Sequence, residues 1–223
     1  MRAAIEKTDT EIKTRVLSEL NYEPSVKATD IGVLVKDGTV TLNGYATSYG
    51  EKWDAVRAAK RVAGVNGIAD EIEVKLPDSH KRTDGDIAAT AANQIALTTR
   101  IPKGCVTITV RDGRIVLEGE VEWWFQKDNA EKAVQDLQGV KMVANMITIK
   151  SAIAPVAIET AIRSAFERNA LLDAGKVHVE TSANKVTLTG KVDNWTEREE
   201  AERAAWSSAG VYSVDNQLKI QWS

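Results

Sequence analysis

Residues 37–74, DGTVTLNGYATSYGEKWDAVRAAKRVAGVNGIADEIEV, decide the fold, because the chain carries this stretch three times. It returns from Asp112 as DGRIVLEGEVEWWFQKDNAEKAVQDLQGVKMVANMITI and from Ala183 as ANKVTLTGKVDNWTEREEAERAAWSSAGVYSVDNQLKI. Gly44, Gly119 and Gly190 keep fixed offsets of 75 and 71 residues, and so do Gly64, Gly139 and Gly210, and Asp70, Asn145 and Asn216. A period of this length marks a tandem array of one structural unit. A chain of 223 residues therefore reads as three units of about 70, each able to close a small core of its own.

A strand of period two leads into each copy of this stretch: Ile31, Val33, Val35; Val106, Ile108, Val110; Val177, Val179, Thr181. Asp37-Gly38 and Asp112-Gly113 then predict a type I′ hairpin, a turn that needs positive φ at both centres. The third copy has Ala183-Asn184 there, so its turn is expected to differ. The return strand runs through Val40 and Leu42, Ile115 and Leu117, Val186 and Leu188. Gly44, Gly119 and Gly190 follow on the face expected to be buried, where a missing Cβ implies a close approach. The next helix presents Ala55 and Ala58, Ala130 and Ala133, Ala201 and Ala204, and glycine against alanine is the expected contact.

Ser48-x-x-Glu51 and Asn194-x-x-Glu197 are cap-and-return pairs for that second helix, whereas Trp123-x-x-Gln126 keeps only the return half. Gly64, Gly139 and Gly210 are its expected left-handed stop, before a third strand through Ile72, Ile147 or Leu218. Upstream, Thr8-Asp9-Thr10-Glu11 is a capping box and Thr83 or Asp84 a cap, and Pro155 falls in the same first-turn register. Ile12, Val16, Leu17 and Leu20 continue that helix, as do Ile87, Ala91 and Ile95, and Ile158, Ile162 and Phe166. The fold class is therefore α+β: three tandem α-β-β-α-β units, each a three-stranded mixed sheet with two helices packed on one face. The units span residues 1–76, 84–150 and 155–223, joined by linkers at 77–83 and 151–154.

A net charge of −3 is spread evenly over the copies, so no copy is a basic module and capture of nucleic acid is not indicated. Cys105 is the single cysteine, which excludes an internal disulfide and any cysteine-cluster metal site. No apolar run reaches the roughly 18 residues of a membrane span, and Met1–Leu17 has no signal-like apolar core. The chain as written reads as soluble and cytoplasmic, with the periplasm as the alternative if a leader has been removed.

The two histidines, His80 and His178, fall in different units, and no nucleophile motif or phosphate-cradling glycine loop occurs. Glu118, Glu120 and Glu122 alternate on one strand face, which reads as solvated. Neither a catalytic, a cofactor-binding nor a metal residue is assigned, and no cofactor is expected. The unusual residue is tryptophan, six against two phenylalanines. Trp124 and Trp195 share one register at the start of the second helix, Tyr49 is their counterpart, and Trp123, Trp124 and Phe125 run consecutively. Such rings can lie at lipid head-group level, staple the helix start or pack between units, but no helix or strand buries three successive side chains on one face.

The units resemble the BON (bacterial OsmY and nodulation) domain. The likeness rests on Asp37-Gly38-Thr39-Val40-Thr41-Leu42-Asn43-Gly44, on Gly139-Val140-Lys141-Met142-Val143-Ala144-Asn145-Met146-Ile147, and on a cap before an alanine-rich helix. The resemblance implies a stress-related, osmotic-shock or envelope protein without enzymatic activity, binding a phospholipid membrane surface or an envelope protein. Tyr49, Trp123, Trp124, Phe125 and Trp195 would then be the contact residues, and Gly44, Gly64, Gly119, Gly139, Gly190 and Gly210 structural. The alternative is a cytosolic scaffold for protein–protein interaction, built from the same repeats.

Overall fold

A computed structural model describes residues 8–149, 158–169, 172–182, 185–208 and 211–221. The first repeat runs α1 (Asp9–Tyr22), β1 (Ile31–Lys36), β2 (Thr39–Ala46), α2 (Tyr49–Lys60) and β3 (Gly67–Val74). The second runs α3 (Asp84–Leu97), β4 (Val106–Arg111), β5 (Arg114–Val121), α4 (Trp124–Gln135), β6 (Met142–Asn145) and β7 (Thr148–Ile149). The third runs α5 (Ile158–Glu167), β8 (Val177–Ser182), β9 (Lys185–Val192), α6 (Trp195–Trp206), β10 (Ser213–Asn216) and β11 (Lys219–Ile220). One compact unit holds the first repeat and the chain on through Gln94, with Ile108–Val116 and Lys132–Ala144, and another holds Ile95–Thr107, Leu117–Glu131 and the chain from Asn145 onward.

In the first repeat β1 pairs antiparallel with β2, Val33 opposite Leu42 and Val35 opposite Val40. β3 then lies parallel to β2, Val40 beside Ile68 and Gly44 beside Ile72, with α2 as the crossover. The mixed sheet follows from the connections: a two-residue turn can only return antiparallel, and a parallel neighbour needs a crossover of helix length, which α2 supplies. The third repeat repeats this order, β8 antiparallel and β10 and β11 parallel to β9. Strand alternation and helix stripes meet in fully buried Val16, Leu20, Val40, Leu42, Ala55 and Ala58. Ile162, Val186, Leu188 and Ala201 fill the equivalent core of the third repeat.

Asp37 and Gly38 adopt φ 50° and 71°, and Asp112 and Gly113 adopt 53° and 76°, the left-handed pair a type I′ turn requires. A clasp not foreseen from sequence fixes each turn. Asp9 accepts from the amides of Asp37 and Gly38, both at 2.9 Å, and Asp84 accepts from Asp112 at 2.8 Å and Gly113 at 2.9 Å. Thr8 and Thr83 are thus the caps, accepting from the amides of Glu11 and Asp86, and the aspartate one residue on is turned to the hairpin. Pro155, the Ala183-Asn184 turn, the 151–154 linker and Gly210 lie outside the described residues.

Three expectations are corrected. The strand glycines do not seat helix alanines: a Cβ at Gly44 would lie 2.1 Å from the Asp30 carbonyl oxygen, at Gly119 2.0 Å from that of Cys105, and at Gly190 2.1 Å from that of Lys176. The crowding comes from the backbone leading into the neighbouring strand, and φ of 110°, 139° and 124° adds a second requirement for glycine. The second helix does not run to its glycine. α2 ends at Lys60, and Gly64, at φ 105°, closes a further turn in which Val65 donates to the Val62 carbonyl.

The third strand is continuous only in the first repeat. In the others Asn145 and Asn216 interrupt it. Each asparagine accepts from the amide two residues on and donates to a helix carbonyl, that of Lys127 or Arg198. Asp70 cannot donate. There Lys52 bridges instead, 3.1 Å from the carboxylate and 2.7 Å from the Ile72 carbonyl.

Candidate functional site: the start of the second helix

The junction between the return strand and the second helix is built by one buried polar side chain per repeat. Glu51, Gln126 and Glu197 are 7%, 8% and 6% exposed. Ser48 and Asn194 cap the helix, accepting from the amides of Glu51 at 3.0 Å and Glu197 at 2.8 Å. The return half goes further than a capping box. Glu51 accepts from the amide and hydroxyl of Thr47 at 2.7 and 2.6 Å with one oxygen, and from the amide of Lys27 at 2.9 Å with the other. Glu197 likewise spans Asp193 and Asp173, at 2.6 and 3.3 Å. Gln126 has a single acceptor oxygen and holds only the amides of Glu122 and Trp123, both at 3.0 Å. A buried carboxylate is tolerable here because backbone N–H groups replace its water.

On this base the aromatic residues part company. Tyr49, Trp124 and Trp195 each begin their helix and are half-buried. Trp124 stacks on Trp206 at the end of α6, ring centroids 6.3 Å apart and planes 17° from parallel. The Arg198 guanidinium lies 5.3 Å from the Trp195 ring centroid. Trp123 and Phe125 turn outward instead, 36% and 44% exposed, and stack on each other at 6.4 Å. The consecutive triplet is thus divided, its middle ring packed against the next repeat and its outer two side by side in solvent.

Nearby, burial holds the Lys127 ammonium below its ordinary range, partly offset by Glu131. Glu118, Glu120 and Glu122 are exposed on β5 and beyond, and His178 is exposed on β8. Among the described residues no group of three or more His, Cys, Asp or Glu side chains could hold a metal ion. No described helix is long and apolar enough to cross a membrane.

Comparison with known proteins agrees with this architecture. The chain is 32% identical over 146 residues to Osmotically-inducible protein Y of Escherichia coli, covering 64% of this chain and 73% of that protein. Two solved structures of CdsD, a structural protein of the Type III secretion system of Chlamydia trachomatis, also align. The C-terminal domain does so at TM-score 0.27 and 13% identity, over 97% of this chain and all of that one. The second does so at TM-score 0.28 and 12% identity, over 94% and 92%. Scores this low carry no argument about fold or function. The signature of the BON domain matches residues 8–75, 83–151 and 156–221, one match on each repeat, and the chain belongs to the BON domain family.

Proposed function

We propose that this chain is a non-enzymatic, stress-related protein that associates with phospholipid surfaces through the exposed rings of its second repeat. The observation that carries the reading is the Trp123–Phe125 pair, two large rings stacked in solvent at a helix start. An indole at head-group depth keeps its N–H wet and its body dry, and a neighbouring phenyl adds apolar area without charge. Similarity to an osmotically inducible protein supports the stress-related part of the reading. With a net charge of −3 the chain gains no general attraction to anionic lipid, so attachment rests on insertion and on local cations.

The test is vesicle co-sedimentation, followed by tryptophan emission, for wild type, Trp123→Ala, Phe125→Ala and Trp124→Ala. Loss of binding in the first two, with Trp124→Ala less affected, is the expected result. Binding indifferent to both exposed rings sinks the contact assignment. A second reading, a protein-interaction scaffold, is favoured by the Trp124–Trp206 stack, which shows that a ring at this register can serve protein packing. Absence of binding to every vesicle composition would select it.

A further inference from the structure

A second site lies away from these rings, where the first repeat passes into the second. A cavity of about 580 Å³ is lined by Lys75, Lys81, Arg82 and Lys141, with Asp84 and Asp112 as its acidic residues. Four cations against two carboxylates is an unusual local balance in a chain of net charge −3. The two acids are weak competitors. Both Asp84 oxygens are occupied by the hairpin amides of Asp112 and Gly113, and Asp112 is 91% exposed, 3.9 Å from Arg111.

Arg82 is placed without being neutralised, and Lys141 feels the Asp84 charge without forming an ion pair with it. Arg82 donates to the carbonyls of Ser79 at 2.8 Å and Lys81 at 2.7 Å, and to the Gln138 side-chain oxygen. All three acceptors are uncharged, so the guanidinium is positioned while its charge stays uncompensated. Among the described residues no carboxylate lies within ion-pair distance of Arg82 or Lys141. The others are engaged, Lys81 with Asp78 at 2.6 Å and Lys75 over the Tyr45 ring at 3.1 Å.

Glycine keeps the wall open. A Cβ at Gly113 would lie 3.2 Å from Lys141 Cγ, and one at Gly139 would lie 2.9 Å from Arg82 Cβ. The register is also specific to this repeat, since Asn66 and Tyr212 occupy the place of Lys141 in the other two. Asn66 lies beside the Gly38 turn, where a Cβ would come within 2.5 Å of its amide nitrogen.

We propose that this cavity binds a phosphate group, with Arg82 and Lys141 as its cations. A guanidinium held by neutral acceptors has its remaining N–H groups available to a tetrahedral anion, and the lysine supplies a second point charge. The phosphate is either that of an anionic lipid head group or a free one. Only the lipid source rests on the membrane reading above.

The test uses the full chain, wild type, Arg82→Gln and Lys141→Asn, the latter giving the second repeat what the first carries. Inorganic phosphate is titrated while the amide resonances of Gly113 and Gly139 are followed, and the retained spectrum reports that each variant is folded. Saturable shifts, about fivefold weaker in either variant, are expected for a loss of one cation. In parallel, binding is measured to vesicles of phosphatidylcholine alone and with phosphatidylglycerol. A lipid source predicts that both variants lose the gain from phosphatidylglycerol while neutral-vesicle binding stays as in wild type.

Phosphate shifts without any vesicle binding would keep the site, assign it to a soluble phosphate, and remove the membrane reading. Vesicle binding unchanged in both variants, with no phosphate shifts, would overturn the site and leave the membrane reading in place.

Discussion

Replacing Glu51 by alanine tests the physical account of the helix start most directly. The carboxylate is 7% exposed and accepts three bonds, from the Lys27 amide at 2.9 Å and from the amide and hydroxyl of Thr47 at 2.7 and 2.6 Å. Truncation leaves two part-buried amides without an acceptor, at about 1–3 kcal/mol each, while the exposed Thr47 hydroxyl can turn to water. A loss of about 2–6 kcal/mol follows, on the order of 10 °C or more in the melting of a repeat this small. Glu51→Gln is the graded control, because Gln126 shows what an amide can do at this register: one oxygen holds the two amides beside the helix. It should release Lys27 alone, at about 1–3 kcal/mol. Thermal denaturation gives the totals, and hydrogen exchange at the Lys27 and Thr47 amides locates them. Alanine and glutamine variants with equal stability, or unchanged protection at Lys27, would refute the bridging account.

Three other outcomes are expected. Gly119→Ala should destabilise by about 2 kcal/mol or more by thermal unfolding, since its Cβ meets the Cys105 carbonyl at 2.0 Å and its φ is 139°; a neutral result would mean the strand can shift. Trp206→Ala should remove the stacked pair, costing about 0.5–1.5 kcal/mol beyond its area, and change the near-ultraviolet dichroism, and both effects should vanish when Trp124 is already alanine. The amides of Gly113 and then Asp112 hold the Asp84 carboxyl below its ordinary value of 3.8. The clasp is therefore fully stabilising above that value and is lost as pH falls through the depressed folded one. Chemical shifts of the Gly113 amide should follow that titration, and Asp84→Asn should abolish it.

Most of the fold is legible because its determinants are local and written three times. Asp37-Gly38 states a turn by its own backbone preference, and the Val40-Leu42 alternation states which strand face is buried. What the letters leave open depends on distant groups. Gly44 announces a close approach, but nothing beside it says that the neighbour is the Asp30 carbonyl and not Ala55. The interruption of the third strand turns on whether residue 70, 145 or 216 can donate as well as accept, visible in the letters only once the helix carbonyl opposite is known. The clasp had a usable signal: aspartate at 9 and 84 accompanies Asp-Gly turns, and the copy with Pro155 has Ala183-Asn184. The aromatic register was plain in sequence, but its division into a packed Trp124 and exposed Trp123 and Phe125 needed the partner, Trp206.

The three copies also act as internal controls on where function is written. A scaffold position should hold whatever residue the backbone asks for, and departures are informative when they leave a local need unmet. At the start of the second helix Ser48 and Asn194 supply the cap, and Glu51 and Glu197 supply two acceptor oxygens. The second repeat gives up both advantages at once. Trp123 stands where the cap should be, a residue with no acceptor in its side chain, and Gln126 offers a single oxygen. Loss of a cap alone costs about 1 kcal/mol, and stability offers no compensation in a ring that stays 36% exposed. An exposed tryptophan in place of a cap is poor scaffold and good contact surface. The same repeat carries Lys141 where its neighbours have Asn66 and Tyr212. Both departures fall in one repeat of three, and both are residues on which the proposed contacts rest.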